Sequence, residues 1–573
     1  GAHWSQVTSF PHKGLGAPAD WRSHGGVSFV ILDPVGKKGQ PSQVIYAGVA
    51  DPAAHHLYRS TDAGKNWSVV AGEPNASLLP GQAKLIGGVL YITYADAKGP
   101  YGASKGAVYS FNTKTGAWAD ITPPKKGAYM GLDVDRQHPG TLVVATLDRD
   151  EIDGDSIYRS RDGGKHWTDL RDISLRDVSS APWLKWGHKD AKFGWWITGV
   201  AIDPFNANHL AYTTGATIYA TDELTKADKK QTLHWKPWVD GIEQTAVLNL
   251  ISPPKGAHLL SGFGDIGGYT HFDLNTSYHM QVNQLFTNTN NYDYAGLAPN
   301  VIVRSGTHEP HAAVRTATLS YSTDFGKTWQ PLYAPLPQGY TEKAPEKLGY
   351  NDSDEYIDAH IVVSADGNRF VVMTQEPVVT ADHGKNWTKI TGLPKGAQVV
   401  ADKQDAKTFY GADYVAGAFF ISHDGAASFT PLEAKGLPSD IRLAKPLNRE
   451  APAPLIATPD KAGDLWFIAQ GRLFHSTDSG ATFNRVENDL NLFTFDFGKA
   501  APGKTGWTLY ALGRKGDEFA IWQSLDQGKS WTRLNDAEQE YCRMFRTIAA
   551  DKTVYGRVYV GIDGRGIIYG EPR

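Results

Sequence analysis

Short aromatic and β-branched stretches alternate along this chain with polar, glycine-bearing turns, a rhythm that predicts antiparallel hairpins throughout. One turn phrase recurs: YRSTDAGKNW (58–67), YRSRDGGKHW (158–167), YSTDFGKTW (321–329), VTADHGKNW (379–387), HSTDSGATF (475–483) and QSLDQGKSW (523–531). A weaker copy, ISHDGAASF (421–429), has lost the glycine of the pattern. The skeleton is Ser/Thr-x-Asp-x-Gly-x-x-Trp/Phe. Each copy follows an apolar stretch and precedes a second short one such as WSVV or WTRL. In such a phrase the Asp and Ser/Thr side chains can bond the amides of their own turn. The glycine allows a left-handed residue, and the aromatic ring packs beneath.

The later boxes are centred on Asp324, Asp382, Asp424, Asp478 and Asp526, at spacings of 58, 42, 54 and 48 residues. Four-stranded propeller blades run about 40–50 residues. Degenerate hairpins fill the wider gaps, at YSFNTKTGAW (109–118), IYATDEL (218–224) and GYTHFDL (268–274). Seven hairpins then follow residue 200, at Asp222, Asp273, Asp324, Asp382, Asp424, Asp478 and Asp526, enough to close one propeller. Three precede it, at Asp62, Asn112 and Asp162. The opening GAHW matches the end of a box, so the chain is expected to begin inside a blade. A propeller short of blades exposes sheet faces, and a preceding segment of about 100–140 residues is expected from the usual repeat length. The expected fold is all-β: tandem seven-bladed β-propellers, the first incomplete. Residues 1–197 would form the remainder of the first, 198–560 the second, and 561–573 a strand closing the first.

Composition narrows the function classes. With 573 residues, 41% hydrophobic and 11% aromatic, the chain can bury a large core, and its 60 glycines and 32 prolines suit many turns. A formal charge of -4 leaves no electrostatic footprint for nucleic acid or an anionic membrane. No apolar run is long enough to span a bilayer and no signal peptide is present. The single cysteine, Cys542, excludes an intramolecular disulfide framework and reads as a small buried residue.

Beyond the boxes, several stretches resemble the glycoside hydrolase family 74 xyloglucanases. They are LYITYADAKGPYG (90–102), LVVATLDRDEIDGDSIY (142–158), KFGWWITGVAIDPFNANHLAYTTGATIYATD (192–222), DGIEQTAVLNLISPPKGAHLLSGFGDIGGYTHFDL (240–274) and VYGRVYVGIDGRGIIYGE (554–571). The resemblance implies two facing propellers with a glucan chain in the cleft between them, and secretion to the extracellular space or periplasm. It implies endo-hydrolysis of xyloglucan's β-1,4-glucan backbone with inversion, by two aspartates. The family's general acid lies on a Gly-Asp-Ile/Val motif that maps onto Gly264-Asp265-Ile266. Its general base lies on a Thr-Asp-x-Gly-Gly turn that nothing here matches, and that base is expected in the preceding segment. The implied partners are xyloglucan and its oligosaccharides. A monomer is expected, accompanied by any separate N-terminal segment, with no cofactor and no metal.

The residues carry their own reading. In SGFGDIGGYTH, Asp265 is flanked by glycines that let a bulky sugar approach. Phe263, Ile266 and Tyr269 are apolar neighbours of the kind that favour a protonated acid. A plain blade turn fits the same residues. Trp195 and Trp196, adjacent in an expected strand, would face opposite sides, and a flat exposed ring stacks on pyranose. The resemblance puts this pair at positive subsites; packing between blades is the alternative. Tyr101, Trp186 and His188 are further cleft candidates. NDSDEYIDAH (351–360) and DRDEIDGD (148–155) concentrate acids out of calcium-loop register and read as solvated or substrate-facing loops. Glu243 fits a supporting carboxyl or an exposed strand residue. Two other classes of function compete, a sialidase and a binding module. A sialidase would need an arginine motif ahead of the boxes that is not found, and a sorting receptor a cysteine-rich region. A xyloglucan-binding remnant without catalysis fits the unmatched base.

Overall fold

The computed structural model describes residues 3–12, 25–34, 39–52, 54–97, 99, 102–147, 154–242, 244–283, 285–307, 317–335, 360–373, 376–442, 454–540 and 545–572. Tyr101, Glu243, Cys542 and most of the two acidic loops (148–153 and 351–359) lie outside them. The chain divides into two compact units, Gly1–Asp240 and Gly241–Arg573.

Among the described residues the second unit holds seven antiparallel sheets, read in chain order. The first has three strands, Val247–Ile251, Leu259–Phe263 and Gly268–His271, and the last has three, Phe545–Ala550, Val558–Ile562 and Gly566–Gly570; the five between have four each. Val247–Ile251 packs against Phe545–Ala550 as well as against Asn288–Tyr294 of the second sheet, and Ala246 bridges to Asp563. The seven sheets therefore close into a ring. A cavity of about 280 Å³ runs down its middle, lined by the innermost strand of every sheet. This is a seven-bladed β-propeller. Inner-strand carboxylates stitch neighbouring blades: Asp293 accepts from the Val363 amide (2.9 Å) and Asp496 from the Ala550 amide (2.9 Å).

Among the described residues the first unit holds four such sheets. The second, Leu79–Ile86, Val89–Ala95, Gly106–Asn112 and Trp118–Asp120, ends in the hairpin expected from YSFNTKTGAW. The fourth, Val200–Asp203, Asn206–Thr213, Ile218–Thr221 and Leu233–Pro237, gains Ser174–Arg176 as a parallel edge strand. Hairpin spacing had put this sheet in the second propeller, with a boundary at 197. Its core places it in the first unit, because Ile202, Leu210 and Trp235 share one cluster with Val143, Ala145 and Ile157 of the preceding sheet. The count of seven survives with a changed membership: the Asp222 hairpin leaves and the C-terminal sheet joins. Gly566–Gly570 pairs with Val558–Ile562 in the second unit, so the C-terminal strand does not close the first.

The boxes fold as their residue types require. In the first, the Ser60 hydroxyl accepts from the Gly64 amide (2.8 Å) and donates to Asp62 (2.9 Å), and Asp62 accepts from the Asn66 amide (2.8 Å). The Trp67 indole closes the turn on the Gly64 carbonyl (3.1 Å). Two successive residues are left-handed, not one: Ala63 and Gly64, Phe325 and Gly326, Gln527 and Gly528. At Asp222 no box forms; its carboxylate meets His209 (2.7 Å).

Candidate active site

Asp265 sits on the turn joining Leu259–Phe263 to Gly268–His271 in the second unit. It is exposed and left-handed, with φ at +67°. For an L-residue that conformation costs about 1–2 kcal/mol, so the surroundings must enforce it. They do so through the main chain. The Gly264 amide donates to the Ala246 carbonyl (2.9 Å), the Gly267 amide to the Thr287 carbonyl (2.9 Å), and the Asp265 amide to Oδ1 of Asn288 (2.6 Å). Gly268 has no alternative: a Cβ there would lie 2.2 Å from the Tyr292 hydroxyl. Phe263 and Tyr269 are buried and pack edge to face, 5.5 Å between centroids. The apolar surround that the sequence suggested for the Asp265 carboxyl thus belongs to the sheet, while the residue itself is exposed.

The tryptophans lie in the first unit. Trp195 and Trp196 are not in a strand; they occupy an irregular segment ahead of Val200–Asp203, with Trp196 left-handed at φ +57°. Trp186 ends a 3-10 turn, Pro182–Lys185, also left-handed. Four indoles form a chain of near-perpendicular contacts, Trp183 to Trp186 at 5.6 Å, Trp186 to Trp195 at 5.4 Å and Trp195 to Trp196 at 6.4 Å. All four are half-buried, so each keeps some ring surface available. The segment is pinned from beneath by the buried Asp155. Its amide donates to the Gly194 carbonyl (2.9 Å), and its carboxylate accepts from the Ile197 amide (3.2 Å) and from the Thr146 hydroxyl (2.8 Å). Gly215 leaves space for both indoles; a Cβ there would come within 2.5 Å of the Trp195 ring nitrogen. His188 is exposed on the loop between, its amide bonded to the Lys185 carbonyl (2.8 Å).

The structure therefore gathers Trp186, Trp195 and Trp196 with His188 on one loop system and adds Trp183, which sequence reading passed over. Its signal was there, in the PWLKW spacing that stacks positions i and i+3 of a 3-10 turn. Asn288 and Asp155 had no local signal, since each meets its target across tens of residues. Among the described residues no group of three or more His, Cys, Asp and Glu is arranged to hold a metal ion. No helix among them is long and apolar enough to cross a membrane.

Comparison with known proteins gives these features a lineage. Residues 320–331 match the BNR/Asp-box repeat model. The whole chain aligns at 37% identity with a xyloglucanase of a Paenibacillus species, spanning 56% of that protein. It aligns at 37% with the xyloglucanase Xgh74A of Acetivibrio thermocellus, spanning 68% of it. The chain thus spans little more than half of the first of these relatives. Among solved structures, the GH74 xyloglucanase of Xanthomonas campestris superposes with a TM-score of 0.85 at 31% identity, over all of this chain and 79% of that one. Similarity of this order along the whole of this chain, with the box geometry in place, shows that the chain belongs to glycoside hydrolase family 74.

Proposed function

We propose that the protein is a secreted enzyme that cleaves internal β-1,4 bonds of the xyloglucan backbone with inversion, and that Asp265 is its general acid. The observation that carries the reading is the Asp265 turn. An exposed carboxyl is held in a costly left-handed conformation by hydrogen bonds from neighbouring strands, at the position of the family's Gly-Asp-Ile motif. Left-handed residues also occur in the box turns, at Ala63, Phe325 and Gln527; what sets the Asp265 turn apart is that its amide is held by a side chain of the next sheet, Asn288, while the residue stays exposed. Proton donation from Asp265 to the leaving glycosidic oxygen would be paired with a carboxylate that activates water about 6.5–9.5 Å away. The Thr-Asp-x-Gly-Gly turn of the family's base has no match in this sequence. Trp195 and Trp196, braced by Trp186, serve as stacking platforms for glucosyl rings, where apolar area and ring orientation combine.

The unmatched base keeps one alternative alive, a xyloglucan-binding protein without catalysis. Digestion of xyloglucan separates the two. Asp265→Asn should cost about 10²–10⁴-fold in the rate of reducing-end release, the usual worth of a general acid, while xyloglucan binding is retained. A folded wild type that binds xyloglucan and releases nothing would establish the non-catalytic reading.

A further inference from the structure

We infer that Asn288 is the positioning residue of Asp265, fixing the turn so that its carboxyl can reach the leaving oxygen; the inference rests on the acid role proposed above. Asn288 is 5% exposed and opens the strand Asn288–Tyr294 in the sheet next to that of Asp265. Its side-chain Oδ1 accepts the Asp265 amide at 2.6 Å, and its Nδ2 donates to the Thr307 hydroxyl at 3.0 Å. The second bond decides the first: it orients the amide group so that the oxygen, not the nitrogen, faces the turn.

The main chain around Asn288 reinforces this. Asn288 forms a bridge to Gly267, and the preceding Thr287 carbonyl accepts the Gly267 amide. The register against Ile302–Thr307 shifts between Thr289 and Asn291, a bulge that re-aims the strand's first residues. Opposite, a Cβ on Gly306 would lie 2.1 Å from the Asn288 carbonyl oxygen, so only glycine lets the two strands approach so closely there. Asn288 is neutral and holds Asp265 by its backbone. It thus sets where the carboxyl stands without adding charge beside it. Proton donation needs heavy atoms within hydrogen-bond reach, and displacements of about 1 Å cost about 10²-fold.

The test uses two substrates on the same samples: xyloglucan, whose leaving sugar needs a proton, and a dinitrophenyl β-glycoside of a xyloglucan oligosaccharide, whose leaving group does not. Asp265→Ala should lose activity on xyloglucan and keep most of it on the aryl glycoside. Asn288→Ala should lose about 10–10²-fold in kcat on xyloglucan, with KM little changed, and less than about threefold on the aryl glycoside, because misplacing an acid matters only where a proton is required. Thr307→Val, which frees the amide to rotate, should show the same pattern more weakly, and it decides the matter if Asn288→Ala does not fold. Equal losses on both substrates, or no loss, would overturn the inference and mark Asn288 as structural. If Asp265→Ala itself loses equally on both, the acid assignment fails instead. A wild type inert on both removes the two together.

Discussion

Asp265 and the box aspartates are one residue type in similar glycine-bearing turns, and their hydrogen bonds tell them apart. Asp382 accepts from the Asn386 amide (2.9 Å) and side chain (2.7 Å), bonds that hold its carboxyl down to about 2; Asp62 is held at about 2 by the equivalent pair. Those carboxylates serve their own turns. The box aspartate amides bond a hydroxyl two residues back in their own turn, whereas the Asp265 amide bonds Asn288, 23 residues on in the next sheet. Residue chemistry also sets the acid response. Burial pushes the imidazoles of His271 and His360, both in the second unit, down to about 4. Their folded values lie below the unfolded value of about 6.5, so the unfolded chain binds more protons in between, and stability falls as pH drops from 6.5 to 4. The box aspartates, depressed from 3.8, add their loss only as pH falls from about 4 towards 2. Thermal midpoints measured against pH should therefore decline in two stages, and His271→Gln should flatten the first. A midpoint constant down to pH 4 would contradict this.

At the scale of the element, the box was the most legible feature of the sequence. Its hydroxyl, carboxyl, glycine and aromatic ring each made the contact their chemistry allows. Hidden was the residue before the glycine, which varies as Ala63, Gly163, Phe325 or Gln527 and yet is left-handed in all four. Gly163→Ala isolates that requirement, because its Cβ would meet nothing closer than 3.8 Å. The cost should be about 1 kcal/mol of backbone strain, read as a lower unfolding midpoint. The exposed Ala63, changed to glycine, should give a smaller shift of opposite sign. The tryptophan pair was not legible as an element: an expected strand is an irregular segment, because Asp155 takes up the Ile197 amide and offers its own to Gly194. Such long-range bonds leave no periodic trace.

For the whole molecule, counting hairpins led to seven blades and to the wrong seven. The closing sheet, Phe545–Ala550 with its two partners, carries no box, and the Asp222 hairpin imitates one without its hydrogen bonds. Only the packing of Trp235 and Leu210 with Val143, and of Val247–Ile251 with Phe545–Ala550, decides which sheet belongs to which unit. The site divides the same way. The glycine-rich turn of Asp265 could be read from the sequence, whereas Asn288, which bonds its amide, becomes visible only where the next sheet packs against it. The central claim is that this chain hydrolyses xyloglucan with inversion through Asp265. Proton NMR of a xyloglucan digest, recorded from the first minutes for the wild type and Asp265→Asn, tests it most directly. The account predicts that the α-anomer of the new reducing ends appears first with the wild type and that the variant releases little of either anomer. A β-anomer appearing first, or equal release by the variant, would contradict it.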